Sequence, residues 1–429
     1  MSFNLNSNML IAMHKTRHIE FSSSSYLQLI QLIMSFLCSM LCSCDESEAK
    51  LIERVIKEIS STKLNLVPLF VAKHPVGIDI RAEAIELLLD LESNVVCKVG
   101  ICGLGGIGKT TISKAVYNRI AHHFEGSCFL ENVREKSKSG DIIQLQKELL
   151  LMILRDRYLE VHNVSQGINL INKRLRGKKV LLIFDDVSDS TEVENFLGEY
   201  NWFAPGSRVI ITSRNQQVLV NLDIDHRRIH KVEELSQCEA RELFIKHAFQ
   251  TSKYEEEEDY SELANKIILY ANGLPLALQI IGSHLHGKNI QYWKNALEKY
   301  EKIPDKKIQE ILKISYDGLE KHEQDIFLDI ACFFKGYRKD VVLNILRSCD
   351  LCPDNGIEIL IDKCLVTLKN GYLLSMHDLL QRMGREIVRQ ESEEPEGRSR
   401  IWHYKDAHKL LTRNMVYILC FSIFCYIFL

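Results

Sequence analysis

The stretch GLGGIGKT, Gly103 to Thr110, decides the fold of this chain. It fits the pattern G-x-x-x-x-G-K-S/T and lies between a β-branched run, VVCKVGIC, and a run of helical period, ISKAVYNRIAHHF. A glycine-rich turn between a strand and a helix lets backbone N–H groups surround phosphates at the helix N-terminus. The order strand, turn and helix therefore predicts a P-loop that binds a nucleotide.

Each residue type in this turn has a chemical role in phosphate binding. Lys109 can reach the β- and γ-phosphate oxygens, and Thr110 can offer its hydroxyl to Mg²⁺. A plain tight turn would leave the lysine unexplained. Four glycines allow the backbone to approach the phosphates closely: Gly103, Gly105, Gly106 and Gly108.

Polar residues follow two further apolar runs. VLLIFDDV ends in Asp185 and Asp186, which makes Asp185 the expected Mg²⁺ ligand and lets Asp186 orient a water molecule. The alternative for this pair is a cap on the helix that starts near Ser190. VIITSR ends in Arg214, which can contact a γ-phosphate or lie on the surface after its strand.

The order of periodic segments predicts three domains. Five apolar runs alternate with helical segments up to Leu235, as in a parallel α/β sheet covered on both faces. Four helical segments then predict a small bundle. Further helices, a hairpin signal at Asn370-Gly371 and one more helix predict a winged-helix domain. The predicted boundaries are 1–44 for a hydrophobic N-terminal segment, 45–75 for a linker helix and extended segment, 76–234 for the nucleotide-binding domain, 235–303 for the bundle, 304–412 for the winged-helix domain and 413–429 for a hydrophobic tail. The extended segment is expected to continue through VGIDI, residues 76–80.

Composition is that of a globular protein. The 429 residues are 46% hydrophobic and carry a net charge of −3, so bulk charge gives no reason to bind nucleic acid. The 13 cysteines lie in apolar stretches and suit reduced, buried thiols. One CxxC, Cys349 and Cys352, lacks the second pair of ligands that a zinc site needs.

The two ends of the chain are unusually hydrophobic. Tyr26 to Cys44 is an uncharged run that is just long enough for a membrane span, although glutamines and serines interrupt it. The apolar C-terminal run, MVYILCFSIFCYIFL, would reach only about 22 Å as a helix, which is short of a bilayer core. Membrane association through these ends remains open.

A histidine stands beside an aspartate in SMHDLLQRMG, Ser375 to Gly384. The surrounding residues have the period of an amphipathic helix. The stretch by itself is compatible with a metal site, a catalytic dyad, a helix cap or a ligand contact.

Six motifs in order resemble the nucleotide-binding (NB-ARC) core of plant disease-resistance proteins: GLGGIGKTT, LLIFDDV, GSRVIITSR, GLPLAL, FLDIACFF and MHDLLQRMGREIV. FLENVRE and FLDIACFF resemble the subclass with an N-terminal Toll/interleukin-receptor (TIR) domain, and the similarity runs from about Asp45 to about Leu411. The resemblance implies a nucleotide-binding domain, a four-helix bundle and a winged-helix domain folded around one ADP or ATP.

The resemblance also implies roles for single residues. Asp185 would hold Mg²⁺, Asp186 would serve hydrolysis and Arg214 would sense the γ-phosphate. His377 would reach the β-phosphate of ADP, and Asp378 would orient that histidine or cap the helix it begins. The remaining implied ligand contacts are Lys109, Thr110 and Thr111 for the phosphates and Pro275 with the backbone of Val76 and Gly77 for adenine.

The function implied by the resemblance is an ADP/ATP switch in plant immune signalling, with at most slow ATP hydrolysis. Its expected partners are immune-signalling proteins, full-length receptors of the family or a second copy, in the cytoplasm or nucleus. Residues 1–44 do not resemble a TIR domain and no leucine-rich repeats follow the core, so we expect a truncated form without NAD-cleaving activity. Ser188 stands where the subclass usually has aspartate, which affects only the capping of the next loop.

Two other classes of function remain as alternatives. One is a kinase or metabolic ATPase, although no motif for a substrate pocket is present. The other is a DNA-binding regulator that uses Arg382, Arg385 and Arg389 on the last winged helix. These arginines are interleaved with acidic residues, as on an ordinary solvated helix face, so nucleic acid is not the expected partner.

Overall fold

A computed structural model describes residues 68–154, 160–198, 203–249, 258–302, 305–348 and 352–412. The predictions for the hydrophobic N-terminal segment, the linker helix, Cys349 and the hydrophobic tail lie outside these residues. Within the described residues, every helix is too short or too polar to span a bilayer.

The nucleotide-binding domain alternates strands and helices. Its β-branched apolar runs form strands, whereas runs with the 3.6-residue period form helices. Helix α1 begins at Ile78, so the prediction that VGIDI is extended is wrong for its last three residues. The elements are α1 (Ile78–Leu89), β1 (Cys97–Cys102), α2 (Lys109–Ile120), β2 (Gly126–Leu130), α3 (Val133–Lys138), α4 (Ile142–Leu154), α5 (Val164–Leu175), β3 (Val180–Val187), α6 (Ser190–Leu197), β4 (Arg208–Ser213), α7 (Gln216–Asn221) and β5 (Ile229–Lys231).

These described strands form one parallel sheet in the order β2-β3-β4-β1-β5. Strands β3 and β4 are buried almost throughout, because helices cover both faces of the sheet. Ser213, at the end of β4, is paired with Cys102 of β1 and with Val187 of β3. The carboxyl ends of the P-loop strand and of the two strands with polar ends therefore meet at one edge, as is usual for ligand sites in such sheets.

The predicted four-helix bundle follows the sheet. Its core is built around Trp293, which is 1% exposed and donates its indole N–H to the carbonyl of Leu285 at 3.1 Å. The rings of Phe244, Phe249 and Tyr260 surround this indole. The helices are α8 (Gln237–Ala248), α9 (Glu258–Ala271), α10 (Pro275–Leu285) and α11 (Ile290–Lys302).

The last domain has the predicted winged-helix arrangement. Its hairpin turns at Asn370 and Gly371, whose positive φ values of 56° and 80° are those an Asn-Gly turn supplies. The elements are α12 (Lys306–Asp317), α13 (Lys321–Asp329) with a π-helical extension to Phe334, α14 (Lys339–Arg347), α15 (Pro353–Asp362), β6 (Thr367–Lys369), β7 (Leu373–Ser375), α16 (Asp378–Glu391) and α17 (Tyr404–Thr412).

Candidate nucleotide-binding site

The P-loop joins β1 to α2 and carries a buried lysine. Gly108 immediately precedes α2. Its φ of 105° is a backbone conformation that glycine adopts without strain, and it joins the loop to the first turn of the helix. Lys109 is 7% exposed and donates from Nζ to the carbonyls of Gly103 at 2.7 Å and Leu104 at 3.0 Å. Burial lowers the pKa of Lys109 to about 8. The lysine predicted to bind phosphate therefore rests on carbonyls of its own loop.

Beside the lysine lies a cluster of oxygen atoms. Thr110 Oγ1 lies 2.9 Å from both carboxylate oxygens of Asp185, and Thr212 Oγ1 donates to the same carboxylate at 2.8 Å. Asp185 is 1% exposed, and burial raises its pKa although both hydroxyls oppose this effect. A hydroxyl beside a carboxylate is a donor set that Mg²⁺ accepts. Thr110 and Asp185 therefore fit the predicted metal role.

Asp186 lies between two arginines. Arg134 Nη2 contacts one carboxylate oxygen of Asp186 at 2.7 Å, and Arg214 Nε contacts the other at 3.3 Å. Arg214 also donates to the carbonyl of Ile311 in α12 at 2.9 Å. Arg214 is thus not a surface residue: it connects the end of β4 to the first helix after the bundle. The cap of α6 is Asp189 and neither of the two preceding aspartates.

Two adjoining cavities lie next to these groups. The cavity on the phosphate side has a volume of about 270 Å³ and is lined by the P-loop, Asp185, Asp186 and Arg214. The other has a volume of about 310 Å³ and is lined by residues 70–76, the start of α1 and the bundle. The two cavities share Gly108, Thr111, Pro275 and Gln279.

The second cavity is lined largely by uncharged groups. Val76 lies in its wall, and the rings of His74 and His247 meet edge to face at 4.8 Å. Burial lowers the pKa of His247 to about 4, so this ring is neutral at pH 7. Two cations also line the cavity: Lys73, and Arg81, whose charge is paired with Glu239 of α8 at 2.6 Å. Such a wall suits an uncharged heterocycle.

The bundle contacts the P-loop directly. The N–H of Leu276, at the start of α10, donates to the carbonyl of Gly106 at 3.2 Å. A Cβ atom on Gly106 would lie 2.7 Å from the Leu276 side chain, and one on Gly105 would lie 2.7 Å from Arg214. These two glycines therefore allow the bundle and Arg214 to approach the loop. Gly77, with a φ of 64°, instead accepts a hydrogen bond from Arg81 at its carbonyl.

His377 is not among the residues that line the two cavities. It is 8% exposed, and its Nε2 lies 2.9 Å from the carbonyl of Asn272, three residues before Pro275. Its Nδ1 accepts the N–H of Leu379 and so caps α16. The prediction that Asp378 caps this helix is wrong, because the Asp378 carboxylate is paired with Lys335. A contact from His377 to phosphate stays a prediction.

Sequence reasoning missed three residues of the site. Asn132 lines the phosphate cavity and Arg134 contacts Asp186, and both follow β2 in FLENVRE. The rule that polar residues follow strands at a ligand edge could have identified them. Gln279 lines both cavities one turn after Pro275 on α10. Its helical spacing from the predicted proline was the available signal.

Comparisons with known proteins match two parts of the chain to family models. Residues 80–254 match the NB-ARC domain, and residues 320–392 match the winged-helix domain of Roq1-like disease resistance proteins. TMV resistance protein N of Nicotiana glutinosa is 38% identical over 377 residues, covering 86% of this chain and 32% of that protein. Disease resistance protein RPV1 of Vitis rotundifolia is 42% identical over 364 residues, covering 84% of this chain and 26% of that protein.

The chain thus spans about a third or less of the length of these curated relatives. Among solved structures, the Walker-type ATPase paby2304 of Pyrococcus abyssi has a TM-score of 0.49 at 13% identity. That match covers 74% of this chain and 100% of the other.

Proposed function

Because this chain is an NB-ARC P-loop protein of the plant disease-resistance class, we propose that it is a switch that holds ADP at rest and ATP when active. One observation carries the proposal: the bundle and the winged-helix domain both bond to the nucleotide site. Leu276 of the bundle donates to the carbonyl of Gly106, and Arg214 donates to the carbonyl of Ile311 in α12. A ligand at this site can therefore influence how the three domains close.

Binding of a diphosphate would exchange hydrogen bonds within the P-loop. Lys109 would leave the carbonyls of Gly103 and Leu104 and donate to phosphate oxygens instead. Burial would make such a charge-assisted hydrogen bond stronger than in water. Thr111, on the wall shared by both cavities, would donate to phosphate at the start of α2.

Thr110 and Asp185 would hold Mg²⁺, which when bound neutralises negative charge on the phosphates. Asp186 would orient a water molecule for slow hydrolysis only after its carboxylate is released from Arg134 or Arg214. Arg214 would sense the γ-phosphate by exchanging its contact with Asp186 or Ile311 for phosphate oxygen. Val76, Gly77 and Pro275 would frame the adenine on the second cavity.

The contacts of the arginines on α16 give no support to the DNA-binding alternative. Arg382 lies over the ring of Tyr270 in the bundle, 4.7 Å from its centroid, and Arg389 pairs with Glu386. These guanidinium groups make contacts within the chain. We propose partners among immune-signalling proteins, receptors of the same family or a second copy of the chain, acting in the cytoplasm or nucleus.

Titration calorimetry of ADP and ATP against the purified chain, with and without Mg²⁺, tests this function. We expect both nucleotides to bind at one site, and Lys109→Ala to weaken binding by about ten- to a hundredfold through loss of a buried charged hydrogen bond. Lys114→Ala is the matched control, since Lys114 lies on the same helix and pairs with Glu131 away from the cavities. Equal affinities for the two variants would contradict the proposed site.

A further inference from the structure

Two buried thiols from different domains meet behind the P-loop. Cys102 is the last residue of β1 and directly precedes Gly103. Cys364 lies in the turn between α15 and β6 of the winged-helix domain. Their Sγ atoms are 3.3 Å apart, and both side chains belong to the hydrophobic core of the nucleotide-binding domain. The winged-helix domain thus inserts a thiol into the core of its neighbour.

The two thiols differ in reactivity. The two Sγ atoms share one hydrogen bond in which either can donate; when Cys102 donates, the bond lowers the pKa of the Cys364 thiol, and the bond and burial raise the pKa of Cys102. Positive charge from Lys109 and from Lys231 of β5 favours a thiolate at either sulfur. Cys364 is 7% exposed and Cys102 is 0% exposed. Because the thiolate is the reactive form and an oxidant must reach it, the more exposed Cys364 is the thiol that an oxidant would attack first.

We propose that Cys102 and Cys364 form a reversible disulfide that ties the winged-helix domain to the P-loop strand. Hydrogen peroxide is the oxidant: the Cys364 thiolate attacks one peroxide oxygen, giving a sulfenic acid and, after protonation of the leaving hydroxide, water. The sulfur of Cys102 then attacks the Cys364 sulfur, the S–O bond breaks, and the departing hydroxide takes the Cys102 proton to form a second water. A dithiol such as dithiothreitol reverses the reaction by exchange.

The two sulfur atoms are already close enough that a short movement would bring them to bonding distance. A disulfide needs an S–S distance of about 2.05 Å, so the sulfur atoms must approach by roughly 1.3 Å from their present 3.3 Å separation. The pair lies beside Gly103, whose carbonyl holds Lys109. A covalent bond at this point would prevent the winged-helix domain from leaving the nucleotide-binding domain. It would therefore hold the chain in its closed arrangement.

Peptide mapping of the full chain under non-reducing conditions, after treatment with hydrogen peroxide, tests the bond itself. We expect a cross-linked peptide pair containing Cys102 and Cys364 that disappears after dithiothreitol. Cys364→Ser should remove it, whereas Cys128→Ser, at a buried thiol that contacts Met152, should retain it. Oxidised Cys364 without the cross-link, or two unmodified thiols, would overturn the proposal. The presence or absence of the cross-link is read from the wild-type chain, so the test does not depend on whether a variant folds.

A second measurement tests the consequence, which rests on the proposed nucleotide switch. Release of a fluorescent ADP analogue from the oxidised chain should be at least about tenfold slower than from the reduced chain, because a disulfide restricts opening. Cys364→Ser should release at one rate with or without peroxide. A cross-link with unchanged release would overturn the consequence. A chain that cross-links but takes up no nucleotide would refute the proposed function and leave the disulfide established.

Discussion

Because Lys109 is buried, its protonation depends on the groups that contact its ammonium nitrogen. Its ammonium group is removed from water and satisfied by two carbonyls, and its pKa falls to about 8. The negative charge of Asp186 is likewise satisfied inside the protein, by the guanidinium groups of Arg134 and Arg214. The phosphate site therefore holds its charges in internal contacts that a ligand must replace. The proposed contact between Lys109 and phosphate requires the charged ammonium, so the affinity for nucleotide should depend on pH.

The affinity for ADP should fall as pH rises above about 8. Below that pH Lys109 is already charged, and above it the complex must take up a proton because phosphate raises the pKa of Lys109. The loss should be about fivefold between pH 8 and 9 and should approach tenfold per pH unit above pH 9. Calorimetry between pH 7 and 9.5, in buffers of different ionisation enthalpy, measures both the affinity and the proton uptake.

Lys109→Arg is the control for this pH dependence, since a guanidinium stays charged throughout the range. It should bind more weakly than the wild type but with a flat profile. A wild-type affinity that is constant from pH 7 to 9.5, without proton uptake, would show that the charge of Lys109 does not control binding.

At the scale of elements, the junction between the P-loop and α10 is central to the site. The loop carbonyl of Gly106 and the first turn of α10 are joined by one hydrogen bond and by packing of Leu276. Pro275 at the first position of α10 suits this role, because its missing N–H would be unpaired there in any case. The bundle therefore begins as a wall of the nucleotide cavity.

Gly106→Ala should disrupt this junction. The new Cβ would lie 2.7 Å from Leu276, and the φ of 80° is strained for alanine. We expect a loss of about 2–4 kcal/mol in the free energy of unfolding. ADP binding should weaken at least about tenfold because the loop must shift. Denaturant unfolding and calorimetry measure the two effects.

Gly140→Ala is the matched control, because it introduces the same backbone strain without a contact to another side chain. Gly140 has the same φ of 80°, but a Cβ there would meet nothing within 4 Å. This variant should lose about 1 kcal/mol through strain alone and should bind ADP normally. If the two alanine variants were equally stable and bound ADP equally, the contact with Leu276 would have no importance.

Local periodicity allowed the helices, the strands and the Asn370-Gly371 hairpin to be predicted from sequence. The sheet order could not be predicted, because β4 lies between β1 and β3 through pairings that join residues far apart in the chain. The position of Arg134 after β2 was a usable signal, but its pairing with Asp186 could not be predicted, because that contact depends on β2 lying next to β3. The partner of Asp378 was also hidden, because Lys335 is brought to it only by tertiary packing.

At the scale of the whole molecule, a few polar contacts connect the winged-helix domain to the rest of the chain. His377 contacts the carbonyl of Asn272, Arg214 contacts the carbonyl of Ile311, and Arg382 covers the ring of Tyr270. The winged-helix domain also places Cys364 in the hydrophobic core of the nucleotide-binding domain, so separating the two domains would withdraw this side chain as well as break the polar contacts.

Asp378→Val should speed the release of ADP, and the structure adds that Lys335→Met should do the same. The two side chains form one ion pair beside His377, and either change removes it. Because both side chains are partly exposed, we expect a modest effect of roughly fivefold in each release rate. Stopped-flow release of a fluorescent ADP analogue measures these rates.

The double variant should release ADP no faster than either single variant, because one interaction can be lost only once. His377→Ala should also speed release, through loss of its bond to Asn272 and of the cap on α16. If Lys335→Met left the rate unchanged while Asp378→Val raised it, Asp378 would act through a different partner.

The central claim is that three domains close over one adenine nucleotide. Mass spectrometry of the nucleotide extracted from the purified, intact chain tests it most directly. We predict close to one molecule of ADP per chain, and none from Lys109→Ala prepared in parallel. A wild-type chain that carries no nucleotide and takes up none on incubation with ADP and Mg²⁺ would contradict the claim.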